Sequence, residues 1–331
     1  MKKMNYVFLC FLLWFGVANS QSRFEYSHQQ MGTQIRLVFY AQIQQNPDSI
    51  AQLVFNRIDE LNGVLSNYLP DSDLTRLSKT SKINVSVHDD LFNILQLSVQ
   101  YGQKTHGAFD ITMGPLIALW KTTRKTKVLP TTEQIQLAMK NTGSHNIHFP
   151  SLNVVSIQGD AMQLDFGGIG KGYAADEAIK LLQQNGISSA MVDMGGDITV
   201  SDPPADKDYW VVGFGYYNKE GKEIVQRIKL KNRAIATSGD LYQYVWVDGK
   251  RYSHIIDPKS GMALSNNIQV TTIAPNGSMA DAYASAFSVG GQEKAGLIKN
   301  GNTAVEFFMV SDVPGNYQQL NSVGFEDFLL K

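Results

Sequence analysis

The stretch Leu164–Gln184 reads LDFGGIGKGYAADEAIKLLQQ. Asp165 closes a short apolar run, and four glycines follow within six residues (Gly167, Gly168, Gly170, Gly172), with Lys171 set among them. A helical pattern then begins, with Ala174, Ala178, Leu181 and Leu182 on one face and Gly186 placed to end it. Glycine lets the backbone turn sharply and approach a ligand with no Cβ in the way. The first amides of the helix face outward with the positive end of its dipole, and Lys171 adds a full charge. The stretch reads as an anion site, and phosphate is the natural anion.

Two common phosphate motifs nearly fit. A P-loop needs a glycine where Asp165 stands and a Ser or Thr where Gly172 stands, so that reading fails. Gly170-Lys171-Gly172-Tyr173-Ala174-Ala175 matches the loose dinucleotide fingerprint GxGxxA, and Asp193 lies at about the right distance for a ribose contact. The surrounding chain argues against it. Strand patterns outnumber helical ones and several are joined by hairpins, whereas the fingerprint needs a βαβ repeat.

Outward from this stretch, the 331 residues suffice for one large domain, and no low-complexity linker or internal repeat divides them. Charged residues make up 18% and hydrophobic ones 43%, as in ordinary globular proteins. A net charge of −1 gives no basic field, which excludes nucleic acid as a partner. The first twenty residues read as a secretory signal peptide: Lys2-Lys3, an apolar core Val7–Val17, then Ala18-Asn19-Ser20 before Gln21. The chain is therefore expected to be exported, to the periplasm or another extracytoplasmic space, with cleavage near Ser20 and one domain over 21–331. Cys10, the only cysteine, is poorly placed for a lipid anchor because Phe8 and Leu9 are bulky. Without it the mature chain has neither disulfide nor thiolate ligand, so a metal must take oxygen or imidazole ligands, as magnesium or calcium does.

The patterns predict a strand over Arg23–Tyr40 and an amphipathic helix over Asp48–Asn67. A second helix follows from about Asp90 to Lys104, capped by Asp89 or Asp90, and a short one over Thr132–Asn141. Val154–Gln158 and Ala161–Asp165 read as a hairpin turning at Gly159-Asp160. Further strands are expected at Ala190–Asp193, Tyr209–Tyr217, Ile224–Leu230, Leu241–Val247, Ile268–Ala274 and Thr303–Ser311, with Asp248-Gly249 as a hairpin turn. A small-residue helix is expected over Ser278–Val289. The class is α+β, a single domain with mixed, largely antiparallel sheets flanked by helices.

Eight turn-borne clusters stand along this frame: MGT at 31–33, NYLPDSDLTRLS at 67–78, GAFDITMGPL at 107–116 and LDFGGIGKGYAAD at 164–176, then VDMGGDI at 192–198, AIATSGD at 234–240, YSHIIDPKSG at 252–261 and ADAYASAFSVGG at 280–291. In this order they closely resemble the FAD:protein FMN transferases, over nearly all of the mature chain. The resemblance implies a T-fold-like flavin transferase. Such an enzyme takes FAD as substrate with Mg2+ and attaches FMN through a phosphoester bond to a Ser or Thr of an acceptor flavoprotein, releasing AMP. Acceptors of the family are redox-pump subunits or exported flavoproteins, which would bring the enzyme near a membrane peripherally. Two alternatives use the same contacts: a magnesium-dependent FAD pyrophosphatase giving FMN and AMP, and an exported FAD-binding protein without turnover. The chain lacks the family's acceptor motif, Asp-Gly-x-Ser/Thr-Gly-Ala-Ser/Thr, so FMN is expected to leave for another protein.

By the same resemblance the metal takes the Asp281 carboxylate, the Ser285 hydroxyl and the Gly168 carbonyl. Asp281 and Ser285 are one helical turn apart and share a face. Ser285 stands where the family usually has Thr, and keeps the oxygen. The FAD contacts carry over onto Met31, Tyr68, Ala108, Phe109, Asp110, Asp165, Lys171, His254 and Ile255. Tyr68 and Phe109 offer flat apolar faces for a ring, Asp110 and Asp165 accept N–H or hydroxyl donors, and Lys171 faces the phosphates. His254 is the expected base for the acceptor hydroxyl, since imidazole titrates in the right range. The expected catalytic residues are thus His254 and Asp281. His88, His106, His145 and His148 read as structural.

Overall fold

The structure, a computed structural model, describes residues 21–79, 83–159, 161–239, 243–313 and 316–330. The expected signal peptide, Asp160 of the expected Gly159-Asp160 turn, and Leu241 lie outside them. The expected strand over Arg23–Tyr40 is a hairpin of β1 (Ser22–Gln30) and β2 (Thr33–Ala41). Met31 and Gly32 both have positive φ, 50° and 72°, which suits the two-residue turn of twisted strands.

Helix α1 (Pro47–Leu65) buries Ile50, Val54, Ile58, Leu61 and Leu65, while Leu53 falls on its wet side. After α2 (Asp73–Lys79) and β3 (Val85–Ser86) comes α3 (Asp89–Lys104), which His88 caps rather than either aspartate. The His88 Nδ1 accepts from the Asp90 amide at 3.2 Å. Asp90 turns inward to the Arg57 guanidinium, at 2.5 and 2.8 Å, which ties α3 to α1. Next are α4 (Gly114–Thr126) and α5 (Thr132–Met139), then β4 (Ile147–Ser151) and β5 (Val154–Ile157), which pair with each other. The expected hairpin partner Ala161–Asp165 is not a strand. Its backbone goes instead to the 111–114 loop, with the Asp165 amide donating to Ile111 O and the Gly114 amide to Gln163 O.

Helix α6 (Gly170–Gln184) leads to β6 (Ala190–Asp193), β7 (Ile198–Val200), β8 (Trp210–Tyr217), β9 (Glu223–Leu230) and β10 (Arg233–Gly239). Then follow β11 (Tyr244–Val247), β12 (Lys250–Ser253), β13 (Ile268–Ala274), α7 (Gly277–Gly301), β14 (Glu306–Val313) and β15 (Asn316–Asn321). Gly291, at φ 56° and ψ −166°, breaks α7, so the expected helix over Ser278–Val289 is its first segment.

The main sheet has eight strands in the order β1-β2-β6-β7-β10-β13-β14-β15. The described strands pair antiparallel throughout, in keeping with the largely antiparallel sheets expected. Alternate residues serve opposite layers. Leu37, Phe39, Val270 and Ala274 pack under α1, α6 and α7, while Val38, Ile235, Ile273 and Phe308 meet Trp210, Phe214 and Ile228 of the β8–β9 hairpin. Each such side chain contributes roughly 1.5–3 kcal/mol by leaving water. A third apolar cluster puts Leu116 and Trp120 of α4 against Val245, Val247 and Tyr252 of the β11–β12 hairpin. No helix among the described residues is long and apolar enough to cross a membrane.

Candidate active site

The site lies where α6 and α7 begin side by side. A Cβ on Gly172 would fall 2.1 Å from Gly277 O, and one on Gly277 would fall 2.5 Å from Gly172 O, so backbone rests on backbone there. Asp176, a turn further along α6, accepts from the amides of Gly277 (2.6 Å) and Ser278 (2.8 Å) and from Ser278 Oγ (2.6 Å). Burial raises the Asp176 pKa above the usual carboxylate range, against those hydrogen bonds.

This crossing sets Asp281 over the first turn of α6, with Gly172 N donating to its Oδ2 at a long 3.4 Å. Beside it the Lys171 ammonium pairs with Asp197, whose Oδ1 also accepts from the Thr237 amide at 3.3 Å. Burial pushes the Asp281 carboxyl far above its ordinary range, the Asp197 charge adds to the push, and Lys171 opposes it. For Lys171, burial alone would lower the pKa, but Asp197 and then Asp281 outweigh it and raise it. Two carboxylates thus share one ammonium in a largely dry place. With Asp281 held towards its neutral form the cluster is balanced; ionising Asp281 would leave it one positive charge short.

Gly168 stands at the mouth of this cluster. A Cβ there would meet Ser285 Oγ at 2.7 Å and Phe109 Cε2 at 3.5 Å, so the bare backbone leaves room between α7 and the 108–110 turn. Asp165 closes the same loop through Oδ1, which accepts from Gly167 N at 2.8 Å, and Oδ2, which takes Asn67 Nδ2 at 2.5 Å. The structure therefore brings Gly168, Ser285 and Phe109 together, and places Lys171 beside Asp281. Among the described residues no three His, Cys, Asp or Glu side chains gather as a metal cluster. The expected ligand set needs one acid only, and a poorly solvated buried carboxylate beside a hydroxyl and an uncrowded carbonyl suits a hard divalent cation. The residues present fit that ion.

The remaining expected contacts are less tightly gathered. Tyr68 is 79% exposed, and its ring lies 4.8 Å from the Lys121 ammonium. Ala108 and Phe109 are buried. Asp110 is engaged by its own turn: Oδ1 takes Thr112 N (2.8 Å) and Thr112 Oγ1 (2.6 Å), and Oδ2 takes Ser144 N (3.3 Å). Met31 sits in the β1–β2 turn, which touches the 194–197 turn where a Cβ on Gly195 would strike Thr33.

His254 follows β12, and among the described residues its backbone amide and ring hydrogen-bond to Gln243 rather than to the Lys171–Asp281 cluster. Nδ1 lies 3.2 Å from Gln243 O. A carbonyl only accepts, so Nδ1 carries the proton and Nε2 keeps its lone pair. Burial lowers the His254 pKa, the Gln243 carbonyl opposes this, and Arg124 lowers it further. The imidazole is neutral at neutral pH. The Ile255 carbonyl accepts from the Leu264 amide at 2.9 Å, which fixes the segment after His254.

Sequence reasoning gave no role to Asp197 or Asn67, which hold Lys171 and Asp165. Both lie in clusters already quoted, but partners 26 and 98 residues apart leave no local spacing to read.

An antiparallel α+β layer carries a glycine-rich helix start with a lysine, Lys171, and two buried acids, Asp197 and Asp281, around its first turn. The model of the ApbE family matches residues 31–309, and the chain belongs to that family. The FAD:protein FMN transferase of Vibrio cholerae is 28% identical over 325 residues, 97% of each chain. That of Escherichia coli K12 is 30% identical over 289 residues, covering 85% of this chain and 82% of the relative. Among solved structures, the flavin transferase ApbE from Vibrio cholerae superposes with a TM-score of 0.83 at 27% identity, covering 93% of this chain and all of that one. The ApbE protein of Thermotoga maritima gives 0.82 at 29% identity, over 94% of this chain and 100% of its own.

Proposed function

We propose that the chain is a magnesium-dependent FAD:protein FMN transferase, moving FMN from FAD to a Ser or Thr of an acceptor protein with release of AMP. The observation that carries this is the charge count at Lys171, Asp197 and Asp281. Without a cation the raised Asp281 pKa leaves the cluster close to neutral, whereas a divalent cation would displace that proton and turn the cluster net positive, as a pyrophosphate requires. Asp281, Ser285 and the Gly168 carbonyl would hold the cation. Once bound it supplies charge stabilisation to the phosphoryl oxygens.

The chain's own residues do the rest. Lys171, steadied by Asp197, meets the pyrophosphate at the start of α6, where the outward amides add the helix dipole. Phe109 and Tyr68 offer ring faces, and Asp165, oriented by Asn67, accepts a hydroxyl or ring N–H. His254 takes the acceptor's hydroxyl proton on Nε2 as that oxygen bonds to the flavin-side phosphorus. The bond to the AMP phosphate breaks, and AMP leaves with the electron pair. We further propose that the chain acts after export, on the strength of the Lys2–Ser20 pattern.

The test is direct. Mature protein with FAD and magnesium should release AMP and label an acceptor protein with flavin, and EDTA should stop both. Free FMN at the same rate with and without acceptor, and no protein-bound flavin, would make the chain a pyrophosphatase.

A further inference from the structure

The β11–β12 hairpin has two apolar faces. One packs on α4, where Tyr252 meets the Trp120 ring at 5.4 Å. Alternation sends Tyr244, Trp246 and Arg251 to the other face. Trp246 is 57% exposed and Tyr244 43%, and the Arg251 guanidinium lies 4.1 Å from the Tyr244 ring centroid. Together with Tyr217, Tyr317 and Asp312 they line a cleft of about 340 Å³. Gln269 lines it too: the residue is 7% exposed, its Nε2 donates to Gly215 O at 2.6 Å, and its Oε1 finds no partner among the described residues.

The cleft lies on the β8–β9 face of the main sheet, and two strands connect its lining to residues of the candidate site. Thr237 of β10 gives its amide to Asp197, and two residues on, a Cβ at Gly239 would lie 3.1 Å from Gln269 Cγ. That step is roughly 7 Å of strand. On the other wall Arg251 precedes His254 by three residues, roughly 10 Å. A peptide delivering one hydroxyl to His254 would reach the aromatic rings within about three extended residues. Exposed Trp, Tyr and Arg side chains are the groups that dominate binding at protein interfaces.

We propose that this cleft holds an extended segment of the acceptor protein flanking its modified Ser or Thr. The inference rests on the transferase reading. The aromatic faces take apolar side chains and peptide planes.

A synthetic peptide carrying Asp-Gly-Ser-Thr-Gly-Ala-Thr serves as probe. Trp246→Ala and Tyr244→Ala should leave FAD affinity and FMN release to water within about twofold, yet raise the KM for peptide about tenfold, the effect of losing one interface anchor. Peptide should also shift the tryptophan emission of the wild type, and Trp246→Phe should abolish that shift while retaining transfer. An unchanged peptide KM in both alanine variants, with the wild type transferring FMN normally, overturns the cleft assignment and leaves the transferase reading standing. So does a dimer in sedimentation that Trp246→Ala dissolves, which would assign the cleft to a second copy of the chain. A wild type that cleaves FAD yet never labels peptide or protein defeats the transferase reading and this inference with it.

Discussion

Gly172→Ala tests the helix crossing on which the site is built. The added methyl would lie 2.1 Å from Gly277 O, 2.4 Å from Gly277 C and 2.8 Å from Ser278 N. All three are backbone atoms of the first turn of α7, so no rotamer change relieves the clash. The helices must separate by about 1 Å or more, and overpacking of this kind costs about 3 kcal/mol. For a chain of this size that lowers Tm by about 4–5 °C. Gly63→Ala is the matched control, because Gly63 lies in α1 with nothing within 4 Å of an added Cβ. It should stabilise by about 0.4–1 kcal/mol through the unfolded chain and helix propensity. Urea and thermal melts of both variants, followed by circular dichroism, give the comparison. If Gly172→Ala melts at or above the wild type, backbone does not rest on backbone there, and the placement of Asp281 over α6 is wrong.

Lys171→Ala should weaken FAD binding and slow turnover together, by about 1.5–3 kcal/mol for a charge-assisted contact; a change in neither refutes its role. His254→Ala should keep FAD affinity within a few-fold and cut transfer about a hundredfold, measured as protein-bound flavin. Because the His254 pKa is lowered, the wild-type rate should hold as pH falls through neutrality and drop only below the ordinary histidine range, and that limb should vanish in the variant. Ser285→Thr should be nearly silent while Ser285→Ala raises the magnesium requirement, read from the magnesium dependence of AMP release. Asp90 gives a stability test: burial opposes its ionisation, but Arg57 outweighs this and lowers its pKa. The resulting stability should be complete above the unfolded aspartate value and lost as pH falls through the lower folded one, and Asp90→Asn should flatten that part of the melting profile.

How much of this was legible in the sequence depended on the range of the interactions. The helix carrying Ala174, Ala178 and Leu182, its end near Gly186 and the strand over Ile268–Ala274 follow from local pattern, and the structure has all three. The turn at Met31-Gly32 was quoted as a motif yet read as mid-strand, because alternation continues on both sides of a two-residue turn. Ala161–Asp165 alternates like a strand too. Its backbone is claimed by Ile111 and by Gly114, partners in another loop. At the site, resemblance named Gly168, Asp281 and Ser285; the structure sets Gly168 against Ser285 and Asp281 over the first turn of α6, through a crossing of glycines that no local pattern announces. Lys171 read as a charge set among glycines to face phosphates. It is paired with Asp197, a partner that only the tertiary fold supplies.

The two helices that meet at the site are unequal as electrostatic devices. At the start of α7, Asn276 takes the Met279 amide and Asp176 takes those of Gly277 and Ser278, so its positive end is answered from within the chain. The start of α6 has no side-chain cap at Ile169. There the Gly172 amide meets only Asp281, at a long 3.4 Å, so in the proposed reaction α6 rather than α7 is the pole open to a diphosphate. Asp176→Asn would free a second pole, so that variant should bind simple anions such as sulfate more tightly while losing discrimination between the two ends of a dinucleotide.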